Sequence, residues 1–150
     1  MINPAYVDEL KRRVKNSPFP SHMIMEIDHI EPDAARITLD LADCHLQPFG
    51  IVHGGVLATL IDTATFWAAF LNLPEDTGLV NVDLKLNYLQ SVTRGRLIAR
   101  GTCLRSGKSI SYSEAGVFSA DDTLLAHGTS TLMALPGKGL QLESPKFLSP

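Results

Sequence analysis

The sequence predicts an α+β fold in which a curved antiparallel sheet of about six strands wraps around one long hydrophobic helix. Three observations lead there. The run over residues 56–72 is almost wholly apolar, with Asp62 as its single ionisable group, which marks a buried helix and not an amphipathic surface one. Two runs before it and four after it read as strands, one of them alternating Ile37, Leu39 and Leu41 with Arg36, Thr38 and Asp40. The connections among the last four are too short for parallel crossovers, so these strands form an antiparallel meander. A sheet of that size has to cover its apolar face, and the 56–72 helix is the only adequate cover.

Taken in order, residues 4–16 form a short helix: Pro4 suits a first turn, and Val7, Leu10 and Val14 recur at helical spacing. Its basic residues are mixed with Asp8 and Glu9 and read as a solvated face. Ser17-Pro18-Phe19-Pro20 breaks that helix. Strands at 23–30 and 35–41 join through Glu31-Pro32-Asp33. After the central helix, 73–78 is a turn-rich loop. Residues 79–89 then alternate Val80, Val82, Leu84, Leu86 and Tyr88 against Asn81, Asp83, Lys85 and Asn87. Further strands at 96–105, 109–119 and 124–135 are separated by Ser106-Gly107-Lys108 and Ala120-Asp121-Asp122-Thr123. The Gly-, Pro- and Ser-rich tail at 136–150 is expected to be loosely held. With no internal repeat, residues 1–150 make one domain, its core over about 20–135.

Composition excludes several classes. An apolar content of 45% and a charged content of 19% are globular values. A net charge of −3 gives no reason to expect nucleic acid or an anionic membrane as partner. The charged start lacks the apolar core of a signal peptide, and the 56–72 run is short and carries Asp62 at its centre, so it does not span a bilayer. A cytoplasmic protein with reduced thiols at Cys44 and Cys103 is expected. His45, His53 and Cys44 do not match a ligand spacing, so no metal site is expected.

The chemistry concentrates around the helix start. A carboxylate in an apolar helix is costly unless hydrogen-bonded or functional, and burial raises its pKa and its basicity. Gly54-Gly55 leaves backbone N–H groups at a helix N-terminus, where the dipole favours negative charge. Such donors cradle the oxyanion that forms when an acyl carbonyl is attacked, and a nearby carboxylate supplies a base or a nucleophile. Singly, each residue has a bland reading: Asp62 as a structural acid capped by neighbouring Thr hydroxyls, His53 as a loop histidine, the Gly pair as a tight turn. Together they point to a catalytic core.

The segment Gly50-(two residues)-His53-Gly54-Gly55-(six residues)-Asp62 resembles the signature of hotdog-fold acyl-CoA thioesterases of the phenylacetate-pathway kind, within the 4-hydroxybenzoyl-CoA thioesterase superfamily. The likeness extends to Asn81 through Leu89, to Arg105-Ser106-Gly107-Lys108, and to Ala126-His127-Gly128-Thr129-Ser130-Thr131, covering roughly residues 20 to 135. The resemblance implies the hotdog fold and hydrolysis of an acyl-CoA to free acid and coenzyme A. It places the acid that acts as general base or nucleophile at Asp62, the oxyanion donor at the Gly54 backbone N–H, and a loop-bracing histidine at His53. Gln47 takes a position that is Asn in many members and orients the water or thioester. Phe66 stands where some members carry a hydroxyl one turn after the acid. Asn81 matches a strand position near the attacking water. Gly55 and Phe66 join the substrate site, and Arg105, Gly107, Lys108 and Ser109 form the hairpin whose cations would meet coenzyme A phosphates. Arg94, Arg96 and Arg100 share one parity and read as a wet face, while His127 and Trp67 read as packing.

No cofactor is expected, coenzyme A entering only as part of the substrate. Two other classes share the architecture: a hydratase or dehydratase on acyl thioesters, and a non-catalytic acyl-CoA-binding protein. Geometry also predicts a partner. Gly54 precedes Asp62 by eight residues, about 12 Å along a helix, which a side chain cannot bridge to one reacting carbonyl. A homodimer with antiparallel central helices, joined through the 79–89 strand, would build each site from two chains. Two such dimers are expected to pair further into a tetramer.

Overall fold

The computed structural model describes residues 1–148. Helix α1 (Pro4–Lys15) starts where Asn3 accepts the Ala5 N–H, and it buries Tyr6, Leu10 and Val14 on one stripe. The Pro-rich break that follows holds a one-turn helix, α2 (Pro18–His22), since Pro at a first position is compatible with helix. Strands β1 (Met25–Glu31) and β2 (Ala34–Asp40) form a hairpin. A 3-10 turn (Asp43–His45) and an irregular loop lead to the central helix α3 (Gly54–Phe70), followed by β3 (Thr77–Tyr88), β4 (Arg96–Ser106), β5 (Ile110–Ser119) and β6 (Leu124–Pro136). Helix α3 therefore begins two residues earlier than the apolar run, with both glycines in its first turn.

The six strands form one antiparallel sheet in the order β1-β2-β4-β5-β6-β3. Only β4, β5 and β6 form the expected meander. Strand β3 instead pairs with β6 at the far edge, and the 89–95 connection carries the chain back to the middle of the sheet. Helix α3 lies across the concave face, burying Leu60, Ile61, Ala64 and Ala68 against Ile37, Leu97, Ala99 and Leu132. The approach is closest at Gly101 of β4, where a Cβ would fall 2.2 Å from the Ala64 carbonyl oxygen, so only glycine admits the helix. The hotdog architecture is thus the observed fold.

Two expectations are corrected. Helix α3 is not buried all round: Thr59, Asp62, Thr63, Phe66 and Trp67 share one helical stripe that remains partly open. The tail is not loose through residue 148; residues 149 and 150 lie outside the described ones. Lys146 is fully buried, and its ammonium donates to the Phe70 carbonyl at the end of α3 and to the Leu73 carbonyl in the turn after it, at 2.9 and 2.7 Å. The Glu9 carboxylate accepts the Glu143 and Ser144 N–H groups, and Ile2 bridges Phe147. Composition suggested looseness because these anchors are single polar residues without periodicity.

Candidate active site

Asp62 sits midway along α3 on its open stripe, half-buried between the helix and β3. Burial raises its pKa above the usual carboxylate range, opposed by one hydrogen bond, in which Asn81 Nδ2 donates to Oδ1 at 2.8 Å. The same amide donates to the hydroxyl of Ser130 at 2.9 Å, and that buried hydroxyl donates to the Asp83 carbonyl at 2.9 Å. Asn81 is thereby held from two sides. The Thr65 hydroxyl does not reach the carboxylate; it donates to the Ile61 and Asp62 carbonyls within the helix.

Asn81 reaches Asp62 because β3 carries a bulge between Asn81 and Asp83. The bulge reverses side-chain parity. Leu79 and Asn81 face the helix before it, and Leu84 and Leu86 after it, while Val80 and Val82 turn out at 38% and 51% exposure. Strict alternation would keep Asn81 on the same face as Asp83, Lys85 and Asn87, because a bulge leaves no trace in the period of a sequence.

At the start of α3, His53 is the N-cap: its Nδ1 accepts the Gly55 N–H at 2.8 Å, which places the proton of the neutral ring on Nε2. The Val56 N–H donates to the His53 carbonyl at 2.9 Å. The Gly54 N–H is left without an acceptor among the described residues and lines a cleft of about 370 Å³ with Gln47, Leu57 and Tyr88. This is the donor expected of an oxyanion cradle. The Gly55 amide, by contrast, is committed to His53, which removes it as a substrate donor. Gln47 borders the cleft, but its side-chain carbonyl already accepts the Phe49 N–H in a tight turn, leaving its NH₂ to face a ligand.

Tyr88 was not singled out from the sequence beyond its strand parity. Its hydroxyl donates to the Gly54 carbonyl at 3.1 Å and its ring packs on the Gly54 Cα. Ser130 was likewise missed, though both lay inside segments already noted as family-like.

One chain does not assemble all of these groups. Helix α3 is continuous between Gly54 and Asp62, which keeps them about 12 Å apart along its axis. The hairpin residues Arg105, Gly107, Lys108 and Ser109 lie at the Asp62 end: Asn81, Leu132, Ser111 and Ser106 face one another across successive strands, a span of about 14 Å. Arg105, Lys108 and Ser109 are exposed there, far from Gly54. Arg96 and Arg100 pair with Asp40 and Asp122 on the wet face. His45 is buried with both ring nitrogens engaged, one accepting the Ala42 N–H and the other 3.0 Å from the Met23 carbonyl.

No helix is long and apolar enough to cross a membrane among the described residues. The thioesterase superfamily model matches residues 49–126, a segment holding Gly54, Asp62, Asn81 and the hairpin. The chain is 27% identical over 108 residues to a 1,4-dihydroxy-2-naphthoyl-CoA hydrolase of Listeria monocytogenes, covering 72% of this chain and 88% of that protein. Among solved structures, a thioesterase of Haemophilus influenzae superposes with a TM-score of 0.80 at 29% identity, covering 86% of this chain and 90% of the other. A thioesterase family protein of Silicibacter pomeroyi gives 0.80 at 25% identity, covering 88% and 99%. The chain belongs to the thioesterase superfamily and is a hotdog-fold enzyme of the thioester-hydrolase class.

Proposed function

We propose that this enzyme hydrolyses an acyl-CoA thioester, with Asp62 as the base and the Gly54 N–H as the oxyanion donor. The observation that carries the reading is the pairing of a half-buried carboxylate of raised pKa with an uncommitted helix-start amide. Asp62 takes a proton from water as the oxygen attacks the carbonyl carbon. The tetrahedral oxyanion is held by the Gly54 N–H in the field of the helix dipole. Collapse breaks the C–S bond, and the proton on Asp62 passes to the departing thiolate. Direct attack by the carboxylate, through a mixed anhydride whose Asp62 carboxyl carbon is then attacked by water, uses the same two groups; a single turnover in ¹⁸O-water marks that route by label appearing in the Asp62 carboxylate and not in the acid released.

The two groups are brought to one carbonyl by a homodimer. Strand β3 is an open edge with Val80, Val82 and Tyr88 exposed, a surface suited to pairing with a second copy. Antiparallel two-fold pairing reverses the partner, so that Gly54 of the partner subunit approaches Asp62, Asn81 and the 105–109 hairpin. The nucleotide phosphates of coenzyme A then fall near Arg105 and Lys108.

Asp62→Asn is expected to lower kcat by at least about 10²-fold with KM little changed, since the amide cannot take a proton. Mixing Asp62→Asn subunits with His53→Ala/Gly54→Pro subunits is expected to restore activity through hybrid dimers. Thiol release above a tenth of wild type in Asp62→Asn, or no recovery after verified subunit exchange, overturns the assignment. A parallel hydration assay on enoyl-CoA is expected to show no turnover.

A further inference from the structure

Beyond Asp62, the open stripe of α3 leads through Phe66 to a second cavity whose far wall and rim have no role so far. Phe66 is one turn past the acid, and Phe66, Trp67 and Phe70 form an aromatic cluster with ring centroids 4.8 to 5.9 Å apart. They line a cavity of about 420 Å³ together with Leu79 of β3 and Leu140 of the tail. The tail is fixed there: the Gly139 N–H donates to the Asp76 carbonyl at 2.8 Å, and the Lys138 carbonyl lies so close to Gly78 that a Cβ would be 2.4 Å away. Two cations stand on the rim, Arg13 from α1 and Lys138 from the tail. Neither forms an ion pair among the described residues. Arg13 also borders an adjoining cleft with Glu9 and Glu143, but the Glu9 carboxylate is held by the Glu143 and Ser144 amides.

We propose that this cavity receives the far end of the acyl group, and that it selects medium-chain acyl thioesters ending in a carboxylate. The inference rests on the acyl-CoA reading above. A thioester whose carbonyl sits at Asp62 runs its chain along Phe66 toward Phe70, about 12 Å of helix, burying methylenes against the aromatic cluster. An apolar body followed by an anion matches apolar walls followed by two unpaired cations. An aliphatic chain ending in methyl would reach the same rim and leave both cations without a partner.

The test compares suberoyl-CoA with octanoyl-CoA, which have equal carbon number and differ in the terminal charge. The wild-type kcat/KM for suberoyl-CoA is expected to equal or exceed that for octanoyl-CoA. The double variant Arg13→Gln/Lys138→Gln, at exposed positions outside the catalytic groups, is expected to lower it about tenfold through KM while octanoyl-CoA hydrolysis stays unchanged. A wild-type preference for octanoyl-CoA, or a double variant that treats both substrates as the wild type does or loses both equally, overturns the proposal. If another acyl-CoA is hydrolysed and neither of these is, the proposal is overturned and the acyl-CoA reading stands; if no acyl-CoA is hydrolysed, that reading fails and the cavity is judged separately by binding. Trp67 is the chain's only tryptophan, so its fluorescence reports occupancy. Free suberate is then expected to change the signal at lower concentration than octanoate, with the difference lost in the double variant and at high salt; equal responses, or none, overturn the cavity's selectivity.

Discussion

At the scale of single residues, the proposed base and the amide bonded to it would together set the working pH. Burial pushes the Asp62 pKa up, and the Asn81 hydrogen bond pulls it back because that bond is made to the ionised form. Asn81→Ala is therefore expected to raise the pKa further. The rate rises as Asp62 ionises, so the limb of the kcat/KM profile moves to higher pH, and the loss shrinks toward alkaline pH. A pH–rate profile of the variant against wild type checks this, and a loss equal at every pH would mean that Asn81 touches the substrate instead. Asp62 was legible in the sequence because one charge in an apolar run is conspicuous. Its partner was placed by family likeness alone, since the bulge that turns Asn81 inward is invisible to a period-two reading. His53 and the Gly pair were legible as a helix start, but the division of labour between the two glycines depended on which N–H the imidazole accepts.

At the scale of elements, the tail acts as a cap for the central helix. The buried Lys146 has its pKa lowered to about 8 by loss of solvation, against an ordinary value of 10.5. A base whose folded pKa is depressed favours the neutral form when folded, so between those two values the unfolded chain binds the extra proton. Stability from this group thus rises with pH across that window and is lowest below it. Lys146→Met, which keeps length but leaves the Phe70 and Leu73 carbonyls without their donor, is expected to remove this slope. Denaturant titrations at pH 7.5 and pH 9.5 check it: wild type gains on the variant as pH rises, by on the order of 1 to 2 kcal/mol. Had the ammonium been solvated, the difference between the two proteins would be flat. Helices and strands were mostly legible from periodicity, and resemblance put β3 at an open edge; its pairing with β6 was not legible, because short connections suggest that strands neighbour in chain order.

For the whole molecule, the proposed shared site requires a second copy on the open β3 edge. Val82→Lys puts a charge on the exposed side of the open edge and is expected to shift the protein to monomer in analytical ultracentrifugation, with loss of at least about 10²-fold in hydrolysis. A fully active monomer would place a complete site within one chain and end the shared-site reading. The same substitution on the intact fold is expected to leave the far-ultraviolet spectrum unchanged, since Val82 is half exposed. The expectation of a partner came from helix rise and residue spacing alone, whereas the route of the tail past Phe70 required coordinates.

The opposite edge of the sheet limits strand pairing, whatever other surfaces dimers use to pair further. Strand β1 has a bulge between Ile27 and His29 and is overlaid by α1, whose Lys11 donates to the Asp28 carbonyl at 2.7 Å and whose Lys15 pairs with Glu26 at 2.8 Å. That edge offers no straight row of free peptide groups for another chain to extend. A protomer with one open edge and one closed edge is monovalent in strand pairing. Joining two such protomers consumes both open edges, so the ladder terminates at a pair and has no end from which a fibril could grow.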